Sequence, residues 1–116
     1  MAVLNEQATR GALEGRWRIV REGGLLPPLL RKEIHDGRGK LYFGLIPIGR
    51  FEVVGTSAVA LVYRRWPLRD ELTLQPDGTW AGRGLLLGGK EFCRFRMVPM
   101  PHRLLAWRRP QRLSAT

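Results

Sequence analysis

The side chains in this sequence that could perform acid–base, nucleophilic or metal chemistry are few and widely separated. His35 and His102 have no metal-ligand spacing with the cysteine or with a carboxylate, so no metal site is predicted. Cys93 is the only cysteine, and its alternation in phase with Phe95 and Met97 favours a buried structural thiol over a nucleophile. No G-x-S-x-G, P-loop or G-x-G-x-x-G motif occurs. We therefore predict no catalytic residue and no cofactor.

Asp70 is the one carboxylate whose position suggests chemistry. Alternation places it on the same face as Leu72 and Leu74, where a charge needs a partner or a ligand. In one interpretation the strand begins at Glu71, and Asp70 is a solvated turn residue paired with a nearby arginine. In the other, Asp70 is a carboxylate at the mouth of an interior cavity, where it binds a polar ligand group or acts as a base.

Two turns set the register of the strands that position Asp70. Pro76-Asp77-Gly78 suits a type I turn followed by glycine in the left-handed conformation. Gly88-Gly89 suits a two-residue hairpin, which places Leu87 opposite Lys90. Counting from both turns gives the same alternation for the strands between residues 69 and 98.

This alternation divides the three strands into an apolar surface and a charged one. The apolar surface carries Leu72, Leu74, Trp80, Cys93, Phe95 and Met97. The charged surface carries Glu71, Thr73, Arg83, Arg94 and Arg96. Gly82 and Gly84 lie opposite Phe95 and Cys93, as packing beside bulky groups requires. The pattern predicts an antiparallel meander with one buried face.

The rest of the chain extends this meander. Patterning predicts a helix over 2–14, an irregular connection over 25–30, a turn over 36–39, and strands over 16–21, 40–46, 50–55, 58–64 and 102–108. Pro47 and Gly49 are expected to separate two of these strands. About eight strands with little helix to cover them favour closure of the sheet. We predict a mainly β fold, with residues 1–109 forming one β-barrel domain and 110–116 a loose C-terminal tail.

The charge balance favours anionic partners. Twenty Lys and Arg residues against ten Asp and Glu residues give a net charge of +10. The candidate anion-binding residues are Arg64, Arg65, Arg94, Arg96, Arg108 and Arg109. No apolar stretch approaches the roughly 18 residues of a membrane span, so a soluble cytoplasmic protein without a transmembrane segment is expected.

The segment Leu13-Glu14-Gly15-Arg16-Trp17 resembles the opening of the calycins, the group of lipocalins and fatty-acid-binding proteins. There a G-x-W motif follows a short helix, and the tryptophan plugs the closed end of the barrel. An arginine near the final strand packs over that tryptophan, a role that the resemblance implies for Arg103 or Arg108. Calycin-like function implies binding of a small apolar or amphipathic ligand without catalysis.

Cys93-Arg94-Phe95-Arg96 is similar to the R-x-aromatic end of fatty-acid-binding proteins, whose arginines hold a ligand carboxylate. The register predicted above points Arg94 and Arg96 outward, against that role. The candidate cavity lining is therefore mostly apolar. It comprises Trp17, Phe51, Asp70, Leu72, Leu74, Trp80, Phe95 and Met97.

Three functions remain open at this point. The first is a barrel that holds a small hydrophobic, lipid-like ligand, provided that the aromatic side chains line a cavity rather than fill the barrel. The second is binding of nucleic acid or another polyanion through the arginines. The third is a small enzyme that uses a cavity carboxylate. The apolar run Leu41–Ile48 suits a buried strand, a cavity lid or a subunit contact, so a homodimer is one of the alternatives.

Overall fold

Eight antiparallel strands follow one another along the chain and close into a barrel, in which the last strand pairs with the first. The computed structural model describes residues 11–55 and 59–101. The strands are β1 (Gly15–Gly24), β2 (Leu30–His35), β3 (Arg38–Phe43), β4 (Ile46–Val54), β5 (Val59–Tyr63), β6 (Leu68–Leu74), β7 (Trp80–Leu86) and β8 (Glu91–Pro99). The predicted mainly β barrel is therefore confirmed.

The turn at Asp77-Gly78 is formed as predicted. The Gln75 N–H donates to the Thr79 carbonyl oxygen at 2.8 Å, and Gly78 has a φ of 88°. Consequently Leu72 pairs with Gly82, and Leu74 with Trp80. The turn predicted over 36–39 is also formed. Asp36 and Gly37 join β2 to β3, and both have a positive φ, as a tight hairpin requires.

The hairpin at Gly88-Gly89 differs from the prediction by one residue. Leu86 rather than Leu87 bonds to Lys90, through an N–H···O contact of 2.8 Å. A register shift after Gly84 leaves Phe92 as a bulge and restores the predicted alternation beyond it. The resulting pairs are Gly84 with Cys93, Gly82 with Phe95, and Trp80 with Met97.

Strand β2 was not predicted, because its inward positions alternate as Leu30, Lys32 and Ile34, and a lysine does not suggest a buried face. The separation of β3 from β4 at Pro47 and Gly49 was also wrong. The turn between β3 and β4 lies at 44–45, and Pro47 and Gly49 both belong to β4. The predicted strand over 102–108 and the tail over 110–116 lie outside the described residues.

The barrel has two ends that differ in their connections. The segments 25–29, 44–45, 64–67 and 87–90 join successive strand pairs at one end, which we call the open end. At the other, closed end, residues 11–13 are helical, whereas residues 2–10 of the predicted helix lie outside the described part. Leu13 is completely buried, and the Trp17 Nε1–H donates to its carbonyl oxygen at 2.8 Å. In the ranges that the structure describes, no helix has the length and apolar character to cross a lipid bilayer.

Candidate ligand-binding site

A cavity of about 200 Å³ lies inside the barrel towards its open end. Its outer wall consists of half-buried or exposed apolar side chains, among them Leu26, Ile48, Trp66 and Leu68. Its inner wall consists of the buried residues Leu30, Lys32, Leu41, Tyr63, Asp70, Cys93 and Phe95. The cavity is thus an apolar space with a small cluster of polar groups at its deep end, as ligand-binding pockets commonly are.

The polar cluster is an ion pair that crosses the interior of the barrel. The Lys32 Nζ donates to Asp70 Oδ2, and the two side chains are only 3% and 8% exposed. Lys32 lies on β2 and Asp70 on β6, so three strands separate them in either direction around the barrel. The pair therefore links opposite walls and forms part of the floor of the cavity.

Tyr63 completes the cluster by donating its phenolic O–H to the same Oδ2 atom of Asp70, at 3.0 Å. Burial, followed by the nearby Asp70 carboxylate and this hydrogen bond, raises the pKa of Tyr63 well above its ordinary value. The phenol consequently stays a donor at neutral pH. Its ring contacts Trp66 in a stacked arrangement with a centroid distance of 5.6 Å.

Aromatic rings surround the Lys32 ammonium on its other sides. The Nζ atom lies 4.5 Å from the ring centroid of Phe95 and 5.7 Å from that of Phe51. Ring faces attract a cation, but they do not replace hydrogen-bond acceptors. An ammonium group has three N–H donors, and only the one to Asp70 is matched by an acceptor among the described residues. Lys32 therefore retains hydrogen-bonding capacity beside the cavity.

A buried ion pair of this kind contributes little net stability to a fold. Removing two charges from water costs several kcal/mol per ion, and well-packed apolar residues often give an equally stable or more stable protein. Ionisable groups in a desolvated cavity are, in contrast, frequent in functional sites. The Lys32–Asp70 pair is accordingly the feature of this barrel that most needs a functional explanation.

The structure distinguishes between the two interpretations of Asp70, as a solvated turn residue or as a carboxylate that faces the interior. The residue lies within β6 rather than before it, and it is buried, so the solvated turn residue is a wrong interpretation. Its partner is Lys32 and not a neighbouring arginine. The inward direction that alternation with Leu72 predicted is confirmed.

The other predicted lining residues are divided between the cavity and the packed core. Only Phe95 joins Asp70 in the cavity wall. Five of the others belong to the buried core away from the cavity: Trp17, Phe51, Leu72, Trp80 and Met97. Leu74 pairs with Trp80 as predicted but is 50% exposed at the end of β6. Most of the predicted lining residues thus pack against one another in the core, and the cavity at the open end involves only two of them.

The four candidate anion-binding residues that the structure describes do not form one face. Arg94 and Arg96 point outward as predicted, and each is paired with a carboxylate, Arg94 with Glu91 at 2.8 Å and Arg96 with Glu22 at 3.1 Å. Arg64 and Arg65 are exposed at the open end of the barrel. Arg108 and Arg109 lie outside the described residues, as does Arg103.

In the described part of the chain, neither the cysteine nor the histidine that could act as nucleophile, base or metal ligand is placed for such a role. Cys93 is buried, and this burial raises the pKa of its thiol, which is the behaviour of an inert cysteine. His35 is exposed, with its Nδ1 3.4 Å from a Glu14 oxygen. Residues 11–55 and 59–101 contain no cluster of His, Cys, Asp or Glu side chains suited to a metal ion.

Sequence reasoning missed Lys32 and Tyr63, the two partners of Asp70. The available signal for Lys32 was its alternation with Leu30 and Ile34, which places its side chain inward. For Tyr63 the corresponding signal was alternation with Leu61 in β5. Comparison of the chain with protein-family models, curated proteins and solved structures found no match.

Proposed function

We propose that this barrel binds a small amphipathic molecule whose uncharged polar group contacts Lys32 and Asp70 and whose apolar part occupies the cavity. The observation that carries the proposal is the buried ion pair at the floor of an otherwise apolar space. The eight-stranded antiparallel closure agrees with the architecture that the calycin resemblance implies, and calycin-like ligand binding is part of the proposal.

The charge of the site favours a ligand with a neutral polar group. Lys32 and Asp70 together carry no net charge, so an ionised ligand would leave an uncompensated charge in a desolvated place. A hydroxyl group can accept a hydrogen bond from the Lys32 ammonium and donate one to the Asp70 carboxylate. This differs from a site in which arginines hold a carboxylate, and it agrees with the outward direction of Arg94 and Arg96.

The size of the cavity limits the apolar part of the ligand. About 200 Å³ is below the roughly 300–1,000 Å³ of typical small-molecule pockets. A medium-length alkyl chain or one small ring fits inside, and a longer chain would extend between the exposed loops of the open end.

A series of eight-carbon probes with equal chains and different head groups tests this proposal. We expect 1-octanol to bind at least tenfold more tightly than octanoate or octylammonium, measured by calorimetry and by tryptophan emission, to which Trp66 beside the cavity contributes. Replacing both charges, in Lys32→Met/Asp70→Asn, should abolish most of this preference while the apolar cavity remains. Leu74→Ala, at the closed end, is the matched control that should leave the series unchanged.

Two results would overturn the proposal. One is tighter binding of octanoate than of octanol by the unchanged protein. The other is the absence of saturable binding for every member of the series, since a barrel that excludes all of them has no accessible cavity.

The polyanion hypothesis receives less support from the described residues. The carboxylates beside Arg94 and Arg96 make that face mixed in charge, whereas nucleic-acid binding needs cations that are available to phosphates. The enzyme hypothesis requires Asp70 as a free base, and both Lys32 and Tyr63 donate to its Oδ2. Ligand binding uses this arrangement as it stands.

A further inference from the structure

Large apolar side chains are exposed at the open end of the barrel to an unusual degree. The five most exposed in the described part of the chain are Leu25, Leu29, Leu45, Ile46 and Leu87, which we call the apolar crown. Leu25, Leu45 and Leu87 are 81%, 87% and 84% exposed. They come from three different connections, all at the open end of the barrel, and Leu25 also lines the cavity.

The loops that carry the crown are bonded to their neighbours. The Leu25 N–H donates to the Phe92 carbonyl oxygen at 2.9 Å, and the Leu87 N–H donates to the Pro67 carbonyl oxygen at 2.8 Å. A third bond, of 2.9 Å, joins the Gly44 N–H to the Leu29 carbonyl oxygen. The crown is therefore displayed on fixed backbone, and its exposure does not result from loose chain.

Among the described residues, the connections at the two ends of the barrel carry charges of opposite sign. The four connections of the open end contain the cations Arg64, Arg65 and Lys90 and no Asp or Glu. The connections of the closed end contain Asp36 and Asp77 instead. An end that combines exposed aliphatic side chains with cations is complementary to an anionic lipid surface, where hydrocarbon lies beneath negative head groups.

We propose that the open end of the barrel docks on an anionic lipid membrane, with the apolar crown inserted among the acyl chains and Arg64, Arg65 and Lys90 at the head groups. A second copy of the chain fits this surface less well, because a two-fold contact of the crown with itself would bring equal cations together. The mouth of the cavity then faces the bilayer, so a lipid-like ligand could pass between them without crossing water.

Sedimentation with lipid vesicles tests the docking. We expect the full chain to bind vesicles of phosphatidylglycerol and phosphatidylcholine, and to bind phosphatidylcholine alone at least tenfold more weakly. Binding should also fall as salt rises, because salt screens the attraction between cations and head groups.

Two matched double variants test whether vesicle binding depends on the apolar crown or on any exposed apolar side chain. Leu45→Ser/Leu87→Ser should weaken vesicle binding at least tenfold, since two exposed leucines lose their burial in lipid. Leu74→Ser/Val54→Ser removes two exposed apolar side chains at the closed end and should bind vesicles as the unchanged protein does. All four residues are exposed, so folding is expected to survive and circular dichroism verifies this.

Any of four results would overturn the docking proposal. These are no binding to anionic vesicles at low salt, unchanged binding by the crown variant, an equal loss in the closed-end variant, or a dimer that becomes a monomer in the crown variant. The last would mean that a second copy covers the crown. Lys32→Met/Asp70→Asn should dock normally, so failure of the alcohol series and failure of docking are independent results.

Discussion

Breaking the Lys32–Asp70 pair from one side should destabilise the barrel strongly, whereas replacing both partners should not. Removal of one member of a buried ion pair typically costs about 3–5 kcal/mol, because the other charge remains in the interior without compensation. Both side chains are less than a tenth exposed, so water cannot screen the remaining charge here.

The contacts that remain around the unpaired charge determine which of the two single variants should lose more stability. In Lys32→Met, Asp70 keeps the 3.0 Å hydrogen bond from Tyr63, which places the expected loss near the lower end of that range, about 3 kcal/mol. In Asp70→Asn, the ammonium keeps the ring of Phe95 at 4.5 Å and a neutral amide oxygen as acceptor. We expect a loss of about 3–5 kcal/mol for this variant.

The double variant Lys32→Met/Asp70→Asn carries no buried charge and retains an acceptor for Tyr63. Its free energy of unfolding should lie within about 2 kcal/mol of the original, so the two substitutions are strongly non-additive. Urea denaturation at pH 7, followed by tryptophan fluorescence and by circular dichroism, measures all four corners of this cycle. Arg83→Met, which breaks a solvent-exposed pair with Glu71, is the control and should change stability little.

Single variants that each lie within about 1 kcal/mol of the unchanged protein, a value typical of an exposed pair, would contradict this prediction. Losses that simply add in the double variant would contradict it as well. Either outcome would mean that the two charges reach water, and the argument for a neutral ligand group would lose its basis.

Two further predictions concern the interior of the barrel. Gly82→Ala should lower the free energy of unfolding, measured by urea denaturation, by about 1–3 kcal/mol, because the added Cβ would lie 2.5 Å from ring atoms of Phe95. Gly23→Ala is the control and should change stability little, because its Cβ would meet only an atom at 3.9 Å. Equal effects of the two substitutions would contradict the packing argument. Because the pKa of Tyr63 is raised in the folded state, the unfolded chain loses its phenolic proton first, near pH 10. Stability should therefore decrease as pH rises above about 10, and less steeply in Tyr63→Phe; the same slope in both proteins would contradict a raised pKa.

Local patterns predicted the sidedness of strands well and their ends less well. The alternation between residues 69 and 98 correctly placed Trp80, Phe95 and Met97 inside, because a buried face and a tight turn both constrain parity. The one-residue error at Gly88-Gly89 had little consequence, because the bulge at Phe92 compensated for it. Such a bulge leaves no trace in the hydrophobic pattern.

Although the inward position of Lys32 was missed, the sequence by itself determined that this chain is a β meander, favoured closure of the sheet through its strand count, and favoured an inward Asp70 through alternation with Leu72. These are consequences of a two-residue period and of turn chemistry, which act over neighbouring residues. Only the tertiary structure decided that these two charges meet, although 38 positions separate them along the chain. Ring closure places β2 opposite β6 and gathers four distant connections at one end. Those positions depend on how the whole sheet curves and staggers, and no local segment of sequence carries that information.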